Sequence, residues 1–178
     1  MYRYLFFLPA YYLAKTGYKS FSSNYLQTRV KAPAIGSIVY CGLVGHLAVH
    51  SGIYVGNNMI VHLNGDGLVE KVDGFQFVRR LGGKNPSRSI YVSCKEGKAI
   101  GSPEAAQRAI DKVGSKIKYD LIENNCHDFV ARCFIDDSSG MVYGRLCLTY
   151  SALSSQSLIT TIANRLLEAD NWKVWGVS

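Results

Sequence analysis

The sequence predicts an α+β domain: a small antiparallel sheet with helices packed against it. Two observations lead there. The first half carries short β-branched runs split by glycine and asparagine, as hairpins do, whereas the second half carries apolar residues at helical spacing. The chain is 178 residues long, 48% hydrophobic and 19% charged, which suits one domain able to bury a core without disulfides or metals.

The strands come first. Residues 37–40 (SIVY) and 47–55 (LAVHSGIYV) read as β-strands. Gly56-Asn57-Asn58 follows as a turn, because glycine and asparagine tolerate positive φ, and residues 60–63 return as the second arm of a hairpin. A second strand pair is expected at 68–72 and 75–78, divided by Asp73-Gly74. A further strand at 90–93 follows a loop over 82–89. Residues 32–65 lack formal charge, but their six glycines and three histidines suit buried strands and tight turns rather than a membrane-spanning helix.

Three helices follow. Ser102-Pro103 is a helix start, with serine as N-cap and proline in the first turn. Ala105, Ala106, Ala109, Ile110 and Val113 form its apolar stripe, and Gly114 closes it. A second helix begins near Asn124 or Asn125, with Cys126, Phe129, Val130, Cys133 and Phe134 along one side. A third covers about 155–169, where Leu158, Ile159, Ile162, Ala163, Leu166 and Leu167 share a face. There is no internal repeat or low-complexity tract.

Charge is distributed unevenly. The net charge is +7, and no acidic residue occurs before Asp66, while Arg3, Lys15, Lys19, Arg29 and Lys31 lie in that stretch. A basic arm favours an anionic partner, and with no nucleic-acid module in the sequence a phospholipid surface is preferred to nucleic acid. A solvated basic face with no specific partner is the alternative. Residues 1–14 (MYRYLFFLPAYYLA) are too short to span a bilayer, and no small-residue cleavage site follows them. An interfacial anchor and a packed arm both fit. The division expected is a basic aromatic arm at 1–31, a catalytic domain at 32–140 and a C-terminal helical extension of it at 141–178.

Five cysteines, at 41, 94, 126, 133 and 147, are odd in number and widely spaced. They suggest reduced thiols in a cytosol-like compartment, and four of them read as small core hydrophobes. Cys126 differs in its position. In the first turn of a helix, unsatisfied N–H groups and the helix dipole favour the thiolate, the reactive form. It also belongs to the apolar stripe, so the helix alone leaves burial and catalysis both open.

A thiol nucleophile needs a base, and His50 and His62 bracket the hairpin 12 residues apart. A turn centred on Gly56 makes them direct cross-strand neighbours on one face. A plain two-residue turn at Asn57-Asn58 puts them on opposite faces, so the catalytic reading requires an odd loop or a bulge within 55–59. A zinc site built from His46, His50, His62 and Cys126 lacks a recognised ligand spacing. His127, next to the cysteine, is expected to point elsewhere along the helix, exposed or capping.

Three pieces together resemble the lecithin:retinol acyltransferase-like family, relatives of the NlpC/P60 cysteine peptidases, in the permuted order with histidines before cysteine. Gly36-Ser37-Ile38-Val39 leading to His50-Ser-Gly-Ile-Tyr54-Val-Gly56 and Ile60-Val-His62 is similar to the family's histidine box. Residues 106–119 are similar to the helix, glycine and tyrosine before the nucleophile, and Asn125-Cys126-His127-Asp128-Phe129-Val130 to its N-C-E-H-F-V box. The chain departs at Ser37, where the family has Asp, and at His127-Asp128, where it has Glu-His. The resemblance implies a circularly permuted, papain-like fold with Cys126 as nucleophile, His50 as base and His62 orienting it. Tyr54, Tyr119 and Asn125 are candidate substrate contacts.

The chemistry so implied needs no cofactor. His50 takes the thiol proton, the thiolate attacks a carbonyl, and N–H groups at the helix start hold the oxyanion. The resemblance implies a glycerophospholipid ester as acyl donor, with water, an amine or an alcohol as acceptor, at a peripheral membrane surface. Two rivals remain open: a peptidase or amidase on the same scaffold, and a non-catalytic membrane- or partner-binding module.

Overall fold

The computed structural model describes residues 29–43, 48–79, 89–118, 125–135 and 155–176. In chain order the elements are β1 (Arg29–Val30), β2 (Ile38–Leu43), β3 (Ala48–Gly56), β4 (Met59–Leu63), β5 (Val69–Asp73) and α1 (Gly74–Val78). Then come β6 (Ile90–Lys95), β7 (Lys98–Ala99), α2 (Pro103–Asp111), α3 (Cys126–Phe134), α4 (Ser155–Leu167) and β8 (Asn171–Trp175). The fold is mixed α+β with an open sheet.

The sheet is larger than the sequence suggests. Eight strands run in the order β1-β8-β6-β2-β3-β4-β5, with β7 paired to β6. All pairs are antiparallel except β1 with β8. The strand β8 lies within 141–178, where only helix is expected, and it bridges β1 and β6. Its sequence NWKVW alternates over too few residues to stand out beside the helix before it.

The helices begin and end as their capping residues dictate. Ser102 accepts a hydrogen bond from the Ala105 amide at the start of α2, and Gly114 lies at φ +88° beyond its end. Ala105, Ala106 and Ala109 are buried, but Ile110 and Val113 of the expected stripe are exposed. The stretch 75–78, expected as a strand, is the short helix α1. Asp73 and Gln76 form a reciprocal capping box at its start, so Asp73-Gly74 opens a helix rather than a hairpin.

Alternate residues of the strands feed two apolar clusters. One contains Ile38, Ile53, Val61 and Leu63 with Ala105, Phe129, Val130, Ile159 and Ile162 from α2, α3 and α4. The other contains Val39, Cys41, Tyr54 and Ile60 with Phe77 and Val78 of α1. Cys41 and Cys133 are buried within these clusters and Cys94 is buried on β6, as expected of small core residues. His46, Tyr119 and Cys147 lie outside the described residues, as do the arm at 1–28 and most of the expected 82–89 loop. Among the described residues no helix is long and apolar enough to cross a membrane.

Candidate active site

The hairpin carrying the histidines has the bulge that the catalytic reading requires. Asn57 and Asn58 both take positive φ, at 51° and 59°, so the turn itself has two residues. Gly56 pairs with Met59, but Tyr54 pairs with Ile60, and the register shifts between them. One extra residue on β3 returns His50 and His62 to a common face. They are diagonal rather than directly opposed, since Ile53 faces Val61 and the pairing so continued sets His62 two residues from His50's own partner.

The diagonal contact closes because Gly52 has no side chain. A Cβ placed there would stand 3.1 Å from the His62 Cβ and 2.9 Å from the Val61 carbonyl oxygen. With that space kept open, His50 Nε2 and His62 Nδ1 come within 3.1 Å, so one donates to the other. The rings meet edge-on and both pack on Phe77 of α1, at 5.1 and 5.6 Å between centroids. Beyond His62, which is fully buried, the Glu70 Oε1 lies 3.4 Å from Nε2, across the β4–β5 pairing of His62 with Glu70. Glu70 was not singled out in the sequence, and only the register of β4 on β5 could have found it.

Cys126 opens α3 under an asparagine cap. The Asn125 Oδ1 accepts from the His127 and Asp128 amides at 2.8 and 3.1 Å, and the Asn125 carbonyl accepts from the Phe129 amide. At the other end Arg108 of α2 donates to the Cys133 and Phe134 carbonyls, where a cation complements the helix dipole. The helix is thereby fixed at both ends, with Phe129, Val130 and Cys133 buried in the core.

Cys126 is buried, with 5% of the residue exposed. Burial alone pushes its pKa up, but His127 and then His50 overcome this by charge and hydrogen bonding and hold it well below the ordinary thiol value. His127 is the larger of these two opposing influences. Contrary to its expected exposure it is buried, with Nδ1 3.9 Å from the Cys126 Sγ and 2.7 Å from the Ser51 Oγ. Burial pulls His127 down, yet Cys126 and, after it, Asp128 raise it above its ordinary value. Adjacent helical residues diverge by about 100°, so helical spacing carries no hint that this ring curls back to the sulfur.

His50 and Ser51 are successive residues of β3 and so face opposite ways. His50 acts on the Cys126 sulfur itself, whereas Ser51 reaches it only through the His127 ring. The proposed substrate contacts are placed differently. Tyr54 packs edge-on against Trp175, and its hydroxyl accepts from the Asn58 amide at the hairpin turn. Asn125 has its side-chain oxygen engaged in the helix cap. Ser37, where a family Asp was expected, is fully buried and donates to the Ile100 carbonyl. Among the described residues no three His, Cys, Asp or Glu are grouped to hold a metal ion.

Residues 31–139 match the family model for lecithin retinol acyltransferase, over more than half of the chain. The chain belongs to this family. Members of the lecithin retinol acyltransferase family are typically acyltransferases or phospholipases, and the matched stretch contains His50, His62 and Cys126. No curated protein matches the chain.

Proposed function

We propose that the chain is a thiol-dependent phospholipase A/acyltransferase that cleaves a glycerophospholipid ester through an acyl-thioester on Cys126. The observation that carries this reading is the buried thiol whose pKa is held down by two imidazoles, one of them braced by a third histidine and a carboxylate. In the proposed reaction the thiolate attacks the ester carbonyl. Of the first four amides of α3, those of His127, Asp128 and Phe129 are engaged by Asn125, so the Cys126 amide is the helix-start donor for the oxyanion. His50 has Nε2 committed to His62, which leaves Nδ1 for proton transfer to the leaving oxygen and then from the acceptor.

A cleft beside the helix start supports an anionic substrate. It is lined by Leu63, Ile117, Phe129 and Asn125, with Lys112, Arg132 and Asp128 among them. Lys112 and Arg132 outnumber the Asp128 carboxylate there, and apolar walls with a net positive charge suit a phosphate-bearing lipid better than a neutral peptide. The histidine-before-cysteine order is the ground for proposing a circularly permuted NlpC/P60 arrangement. The basic arm at 1–31 is proposed to bring the catalytic domain, 32–140, to a membrane surface from the cytoplasmic side.

The test uses phosphatidylcholine vesicles and intact-mass analysis. An acyl adduct on the wild type, absent from Cys126→Ala and accompanied by lysolipid, is the expected result. Cleavage of a peptide or peptidoglycan fragment without lipid turnover would replace this reading with an amidase. Inertness towards both, with an ordinary thiol pKa, would leave a binding module.

A further inference from the structure

His127 stands where the family motif has an acidic residue, and the proposed Cys126–His50–His62 mechanism has no task for it. Its surroundings are those of a held group. The ring is buried, its Nδ1 lies 2.7 Å from the Ser51 Oγ, and the same nitrogen is 3.9 Å from the Cys126 Sγ. Ser51 is itself fully buried on β3. A hydroxyl can donate to an uncharged Nδ1 or accept from a protonated one, so Ser51 can hold the ring in either state.

We infer that His127 is a second acceptor of the Cys126 proton, anchored to β3 by Ser51, and that the resting sulfur is a thiolate paired to His127 as well as facing His50. The S–H bond breaks, an N–H bond forms at His127 Nδ1, and no other reactant is needed. This deepens the proposed function and rests on it only for its catalytic meaning.

The groups that act on His127 are few among the described residues. On α3 they are Cys126 and Asp128, both of which favour the charged ring against burial. On β3 Ser51 contacts the ring directly, while His50, with His62 of β4 behind it, acts on the shared sulfur. Arg108 of α2 engages only the last turn of α3, and α4 contributes apolar Ile159, Ile162 and Ala163 to the same core.

The catalytic meaning follows from thiol chemistry. A sulfur of lower pKa attacks less strongly but leaves faster. A charged His127 beside Cys126 therefore favours release of the acyl group to the acceptor, and leaves His50 to serve the two oxygens that exchange protons.

The test is the pH dependence of Cys126 alkylation by iodoacetamide, which needs no turnover. In His127→Gln the midpoint is expected to rise by about one pH unit or more, the range for losing an opposite charge at this distance. In His50→Gln it should rise by less. A His127→Gln profile that coincides with wild type overturns the inference, as does a His50→Gln profile that alone returns to the ordinary thiol value.

Should His127→Gln not fold, two measurements decide. Ser51→Ala removes only a hydroxyl and is expected to raise the midpoint in the same direction. Nuclear magnetic resonance of the His127 ring should find it charged above pH 6.5, its ordinary value, in wild type and neutral there in Cys126→Ser. A ring neutral in both refutes the idea. Vesicle adduct formation, measured alongside, separates the two proposals: a shifted alkylation midpoint without any acyl adduct sinks the lipid enzyme and spares the proton acceptor.

Discussion

Two imidazoles reach the Cys126 sulfur, and they are held in opposite ways. His50 hangs from a strand and is braced through His62 to Glu70, whose side chain is 31% exposed. His127 sits in the same helix as the cysteine and is anchored by Ser51, which has no exposure at all. The first arm is a chain of side chains from three strands, built by register and ending near solvent. The second is local and closed. A group that must pass protons to and from bound substrate suits the first arrangement, and a group that only stabilises charge suits the second.

The comparison is broken most directly at His50. Replacing it with Gln should lower acyl transfer by about 10²- to 10⁴-fold, the usual contribution of a positioned acid–base group. Lysolipid release measured at saturating phosphatidylcholine checks this. Turnover close to wild type would mean that His127 performs both tasks, and the division between the arms would fall.

Gly52 tests whether the open arm depends on register. An added methyl would meet the Ile60 side chain at 2.7 Å and the Val61 carbonyl at 2.9 Å, so backbone must move. Gly52→Ala is expected to lose about 1–3 kcal/mol of stability in urea unfolding, as overpacking does. Adduct formation should fall with it, while the Cys126 alkylation midpoint should move little, because His127 is untouched. A stable variant with an intact His50–His62 contact would show that Gly52 is not what admits the pair.

The same contrast governs what could be read in the sequence. The histidine arm was legible because its elements are periodic. Two strands, a turn and a spacing of 12 residues define a register, and the register poses a yes-or-no condition that the bulge between Tyr54 and Gly56 meets. Asn125 as cap and the stripe of α3 were legible for the same reason. The helix α1 is not legible because FQFV resembles a strand, and the capping box that makes it a helix depends on Asp73 and Gln76 side chains. His127 was misjudged because helical spacing says which way a Cα–Cβ bond points, not how a ring turns after it. Ser51 and Glu70 carry no sequence signal of their own and enter only through what they touch.

The smallest expected effects separate the arms most cleanly, because each concerns a different property of one pH–rate profile. Cys126 has its pKa depressed, so the thiolate persists, and activity with it, as pH falls well below the ordinary thiol value of 9.0, until the folded pKa is reached. His127 has its pKa raised, so its charge persists as pH rises above 6.5 and is lost only at the higher folded value. Glu70 touches neither group; it contacts His62, which contacts His50. Glu70→Gln should therefore lower the height of the profile about 1.4- to fivefold, matching the roughly 0.2–1 kcal/mol of a part-exposed polar contact. Its acid limb should not move. Ser51→Ala should instead move the acid limb upward, because a loosened His127 lets the thiol return towards 9.0. If Glu70→Gln shifts the limb as Ser51→Ala does, the two arms form one titrating network, and the assignment of proton transfer to one and charge stabilisation to the other is wrong.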